Sequence, residues 1–211
     1  MTIDSDDLLN SILTSLERIE YIKPEDIPNI DLYMDQVTTF MDSRLRSTVR
    51  YPEDDKILTK TMINNYAKNN LLPPPVKKKY SREHILLLIF IYYYKNVLSI
   101  NDIQTLLQPI TEQFFQNGKE FNLESVYTEV FSMEKEQVDA LKEDLKQKYQ
   151  KAQETFKAAP EESVEFLRKF CFICMMSFDV YVKKLIIEKM VDGLFPAEGK
   201  GAAEKAEKKK S

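Results

Sequence analysis

Apolar positions along the chain recur at three- and four-residue intervals in block after block, and that spacing predicts helices. Leu8, Leu9, Ile12, Leu13, Leu16 and Ile19 mark an amphipathic first helix over residues 5–20. After "KPEDIP", Asn29 is placed to cap a second helix through "IDLYMDQVTTFMDSRL", with Leu32, Met34, Val37 and Phe40 as its buried positions. The polar stretch "RSTVRYPEDDK" reads as a loop. Thr59 stands at an N-cap ahead of a short helix over 60–69, Asn70 suits a left-handed C-cap, and Pro73-Pro74-Pro75 forbids continuation. "VKKKY" reads as a short extended piece. Ser81 caps "REHILLLIFIYYYKN", which is apolar nearly all round and so belongs at the centre of the fold. Ser99 caps a further short helix that Pro109 should close.

Beyond residue 120 the pattern changes. Residues 123–156 are charged and periodic, with Val126, Val130, Met133, Val138, Leu141, Leu145 and Phe156 on one side, predicting one long helix with a coiled-coil-like seam. Pro160 separates it from a more apolar helix over 162–191, which Gly193 and Pro196 should end. Residues 193–211 have the composition of a disordered tail. With four glycines and no β-alternating runs at regular spacing, a sandwich or barrel is disfavoured. The longest apolar run, Ile85 to Tyr94, is about half the ~20 residues that span a bilayer. The acidic start "MTIDSDDLLN" lacks the pattern of a secretory signal, and two cysteines do not make a disulfide scaffold. A cytoplasmic protein with no membrane partner is expected.

Charge sharpens the picture. The chain carries a net charge of −4, yet residues 56–82 hold seven cations (Lys56, Lys60, Lys68, Lys77, Lys78, Lys79 and Arg82) and no acid. The remainder therefore nets −11, with 23 basic against 34 acidic residues. A segment cleared of carboxylates is what a polyanionic partner requires, although a lysine run beside a proline turn also fits a solvated loop. Other chemistry is thinly represented. Cys171 and Cys174 are one helical turn apart, but no second ligand pair accompanies them, and Phe170, Phe172, Met175 and Met176 around them suggest buried, inert thiols. The single histidine, His84, reads as a polar helix-start residue. Nucleophile elbows, glycine-rich phosphate loops and acids at metal-ligand spacing are not found, so no catalytic residue, metal or cofactor is expected.

"INNYAKNNLLPP" is similar to the MerR-type regulator pattern Ile-Arg-Tyr-Tyr-Glu-Arg-x-Gly-Leu-Leu-x-Pro, through Ile63, Tyr66, Leu71, Leu72 and the following prolines. "KKYSREHILLLIFI" and "VLSINDIQTLL" continue that resemblance across about residues 58–107. Asn64-Asn65 stand where the pattern has Arg-Tyr, Asn70 where it has Gly, and Lys78 where it has the wing Arg. More narrowly, "LTKTMINNYAKNNLLPPPVKKKYSREHI" resembles a bacterial domain family of unknown function described as predicted MerR-like regulators. The resemblance implies a mainly α, winged helix-turn-helix fold with a short β wing, here followed by a long C-terminal helical hairpin. The expected units are an N-terminal helix (1–28), the winged domain (29–110), a hairpin for dimerisation or sensing (120–192) and the tail.

The function so implied is control of transcription on double-stranded DNA. Thr59, Lys60, Thr61, Asn64, Asn65 and Lys68 would lie on a recognition helix, where Asn can bond adenine bidentately. Lys77, Lys78, Lys79, Tyr80 and Arg82 would lie on a wing against phosphates. The apolar last helix leads to the expectation of a homodimer. A second reading stays open: a non-catalytic protein-interaction adaptor that keeps the winged shape without reading DNA.

Overall fold

The computed structural model describes residues 5–16 and 21–194. Residues 17–20 of the expected first helix, and 195–211 of the expected tail, lie outside them. The fold is mostly helical with one small sheet: α1 (Ser5–Leu16), β1 (Leu32–Tyr33), α2 (Met34–Leu45), α3 (Lys60–Lys68), β2 (Lys79–Tyr80), α4 (Arg82–Tyr94), α5 (Ile100–Phe114), α6 (Leu123–Ser132), α7 (Glu134–Gln153) and α8 (Glu161–Leu194).

Helix α4 is the axis of the core. It runs apolar on every side, and His84 through Tyr92 are all buried. Around it lie Val37 and Met41 of α2, Ile63 and Tyr66 of α3, Ile103 and Leu107 of α5, and Leu123 and Tyr127 of α6. Burial of such side chains contributes about 1.5–3 kcal/mol each, so this interior dominates the stability of residues 22–131. An aromatic cluster closes one end. The ring of Tyr127 lies 4.5 Å from Phe131 and 5.5 Å from Phe90, and Tyr21 stacks on Phe131 at 5.7 Å.

Local rules hold where capping chemistry is local. Thr59 Oγ1 accepts the Met62 N–H (3.1 Å) and Ser99 Oγ accepts that of Asp102 (3.2 Å), starting α3 and α5 as expected. Asn70 sits at φ +56°, and the Leu71 and Leu72 N–H groups return to the Tyr66 carbonyl (2.9 and 3.2 Å), ending α3.

Four expectations need correction. Tyr33, rather than Asn29, caps α2, because Leu32 and Tyr33 are drawn into the sheet first; the Tyr33 N–H then donates to Gln36 Oε1 at 2.9 Å. Pro109 lies inside α5, which runs on to Phe114. An internal proline costs about 3 kcal/mol, but Ile110, Phe114 and Phe115 beyond it pack on the core and offset that cost. The single helix expected over 123–156 breaks at Met133 into α6 and α7. Its first part is held on α4 by the aromatic cluster, while the second pairs with α8 and α1. Finally, α8 passes through Gly193 to Leu194.

The sheet is antiparallel, with Leu32 opposite Tyr80 and Tyr33 opposite Lys79. Ahead of β2 the chain folds back on itself. Val76 and Lys79 exchange both backbone hydrogen bonds (3.0 and 3.1 Å), and Lys77 and Lys78 between them sit at φ +51° and +66°. Positive φ at both central residues defines a type I′ hairpin turn, the twist-matched connection that normally selects Asn-Gly. No described helix is long and apolar enough to cross a membrane.

Candidate nucleic-acid interface

Helix α3 is two-faced. Ile63 and Tyr66 are buried, with Met62 and Ala67 half-buried beside them, whereas Lys60, Thr61, Asn64, Asn65 and Lys68 are exposed. At about 100° per residue, those five exposed side chains span an arc of about 140° that contains no apolar and no acidic group. The buried pair anchors the helix and the opposite arc faces solvent. Among the described residues, the side chains of Thr61, Asn64, Asn65 and Lys68 have no hydrogen-bond or ion-pair partner, and neither do those of Lys77 and Lys78 at the hairpin turn. Donors and cations held on ordered backbone without internal partners are able to contact an external acceptor.

The other expected contacts are placed differently. Thr59 is half-buried and its hydroxyl caps α3. Lys60 forms an ion pair with Asp35 of α2. Lys79 lies over the Tyr33 ring, 5.1 Å from its centroid. Tyr80 has to be corrected, and Arg82 is engaged within the fold. The Tyr80 side chain is only 2% exposed and meets the His84 ring edge-on at 5.5 Å, so it is a core residue that no nucleic acid reaches. Arg82 Nη2 donates to the Pro24 carbonyl (2.6 Å) and lies 3.1 Å from a Glu124 carboxylate oxygen, which fastens three chain segments together. Glu124 and Asp35 both approach the acid-free window through the fold, and no local pattern in the chain signals either.

His84 is more than a helix-start polar group. It is buried between the rings of Tyr80 and Phe115, and its Nδ1 accepts the Ser81 N–H at 3.0 Å, which places the ring proton on Nε2. Nε2 finds no partner in hydrogen-bonding geometry. Burial pushes the imidazole pKa below its ordinary value, so the ring is neutral in the folded protein near pH 7. The cysteines also depart from expectation. Cys174 is exposed and Cys171 half-exposed, because the face of α8 that carries them is not covered within the chain. No group of three or more His, Cys, Asp or Glu able to hold a metal ion occurs among the described residues.

Residues 22–130 match the family described as Domain of unknown function (DUF1836). The match runs from Ile22, two residues before a 3₁₀ turn at Pro24–Asp26, through the sheet and α2–α5, into α6, and leaves α1, α7 and α8 outside it. No curated protein and no solved structure matches the chain. Since the match spans more than half of the sequence, and takes in the helix face and hairpin described above, the chain belongs to the family of Domain of unknown function (DUF1836) proteins.

Proposed function

We propose that residues 22–130 form a MerR-like winged helix-turn-helix that binds double-stranded DNA as a non-catalytic regulator of transcription. In this reading α2 and α3 are the helix pair, α3 enters the major groove and the Val76–Lys79 hairpin is the wing. One observation carries it: the solvent arc of α3 offers Thr, Asn and Lys side chains without internal partners, and the next element presents two lysines at a tight turn. Asn64 and Asn65 supply paired donors and acceptors for base edges, while Lys68, Lys77 and Lys78 supply charge for phosphates. Tyr80 is buried and has no part in contact, and Arg82 also ties the start of α4 to Pro24 and Glu124.

Selection of bound duplexes from a random pool tests the reading directly. Enrichment of a common site is expected, and Asn64→Ala or Asn65→Ala should then lower preference for that site by about 1–3 kcal/mol while sparing binding to random duplex. Failure to enrich any sequence would remove base reading. The adaptor reading is favoured by the ion pairs of Lys60 with Asp35 and Arg82 with Glu124, which neutralise part of the basic window. Excess absorbance at 260 nm in the purified protein separates the two, since an adaptor should carry no nucleic acid.

A further inference from the structure

Helix α8 is apolar on two faces and the chain covers one. On the covered side, Phe172 meets the Tyr149 ring of α7 edge-on (5.7 Å), Asp179 pairs with Lys148, and Arg168 Nε donates to the Thr155 carbonyl at 3.3 Å. On the other side Phe166, Phe170, Ile173, Phe178, Val180 and Tyr181 form a continuous stripe, each between 53% and 69% exposed. The four rings alone leave about 500 Å² in water, taking about 200 Å² per aromatic side chain. Leu185 extends the patch along the helix. The largest apolar patch on a typical monomer is about 300–600 Å², and a standard interface takes about 800 Å² from each partner. This surface is of interface size.

Charge identifies what covers it. Residues 161–165 hold three acids (Glu161, Glu162, Glu165) and no base, while residues 183–189 hold three lysines and one acid. A parallel copy of α8 would set acids on acids. An antiparallel copy sets the acidic end over the partner's lysines, and the apolar stripe then falls into register. About a two-fold axis between residues 175 and 176, Phe166 faces the partner's Leu185, Phe170 the partner's Tyr181, and Ile173 the partner's Phe178. The segment after Leu194 offers one Phe and alanines among charged residues, too little to cover the stripe.

We infer that the protein is a homodimer in which the exposed face of α8 pairs antiparallel with the same face of a second copy. The inference is independent of DNA binding. Sedimentation equilibrium of the full chain near micromolar concentration should give a mass near twice the 24.8 kDa of one chain. Phe170→Glu with Phe178→Glu should return it to one chain with unchanged helical circular dichroism. Orientation is read in a Cys171→Ser, Cys174→Ser background with a short bismaleimide. Chains carrying Glu162→Cys should cross-link to chains carrying Lys189→Cys and not to themselves. A single-chain mass for the unmodified protein, or self-linking of the Glu162→Cys chain with none in the mixture, overturns the proposal.

Discussion

Replacing Lys77-Lys78 by Asn-Gly should make the protein more stable and a weaker binder of DNA. Both lysines sit at positive φ, +51° and +66°. A non-glycine residue held there costs about 1–2 kcal/mol relative to a right-handed conformation. Glycine at 78 removes that cost and returns about 0.5–1 kcal/mol as extra freedom of the unfolded chain. Asparagine, which tolerates the region, removes part of the cost at 77. The net gain is about 1 kcal/mol, read as a rise in melting temperature of about 2–4 °C for a chain of this size. The same change deletes two cations. If each contacts a phosphate, the slope of log affinity against log salt becomes shallower by about 1.8, and between about 50 and 200 mM salt the unmodified protein loses about twelvefold more affinity than the variant. Urea denaturation and fluorescence anisotropy on a labelled duplex measure the two effects separately. Loss of stability would refute the turn argument. An unchanged salt slope would refute phosphate contact by the hairpin, whatever the stability did.

Tyr127→Phe should cost about 1–3 kcal/mol in urea denaturation, because its hydroxyl donates to the buried Ile22 carbonyl at 2.6 Å and the variant leaves that acceptor unpaired; an unchanged midpoint would mean water replaces the hydroxyl. Ile63→Ala should cost about 2–5 kcal/mol as a core truncation, whereas Asn64→Ala, one residue along, should stay within about 0.5 kcal/mol, and equal costs would refute the two-faced reading of α3. The His84 pKa is lowered on folding, so below about pH 6.5 the unfolded chain binds the proton that the folded one refuses. The His84 contribution to stability is therefore constant above that pH and is eroded as pH falls toward the depressed folded value. His84→Gln should flatten the difference in stability between pH 7 and pH 5; parallel pH profiles for the two proteins would show that the ring titrates normally.

What the sequence disclosed follows a physical divide. Thr59, Asn70 and Ser99 act on backbone within four residues of themselves, so their roles could be read from the string. The core position of α4 was equally legible, since a helix apolar on all sides has only one place to go. The burial of Tyr80 and the pairing of Arg82 are not legible in the same way, because their partners, the ring of His84 for one and Pro24 and Glu124 for the other, are set by the folded arrangement. The break at Met133 was hidden for the same reason: periodicity continues across it, while the surfaces that the two helices bury against are different. Cys174 was expected inside because α8 is apolar around its circumference, and circumference alone does not say how many of its faces one chain can cover. On α3 the candidate face is legible from residue type alone; the ion pair that occupies Lys60 is not.

The contact between Tyr127 and Ile22 joins residues 105 apart in the chain, and Glu134 accepts the Tyr21 N–H at 2.7 Å across a separation of 113. A ribosome adding about 5–20 residues per second would therefore make the segment around Ile22 about 5–20 s before the tyrosine that holds it. Until then the aromatic rings of α4 stand open to water, with their lid still unsynthesised. Completion of the fold is thus tied to the order of synthesis: the beginning of the domain is secured by its end, and a chain truncated after α5 should hold α2–α4 together while leaving the segment around Tyr21 and Ile22 undocked.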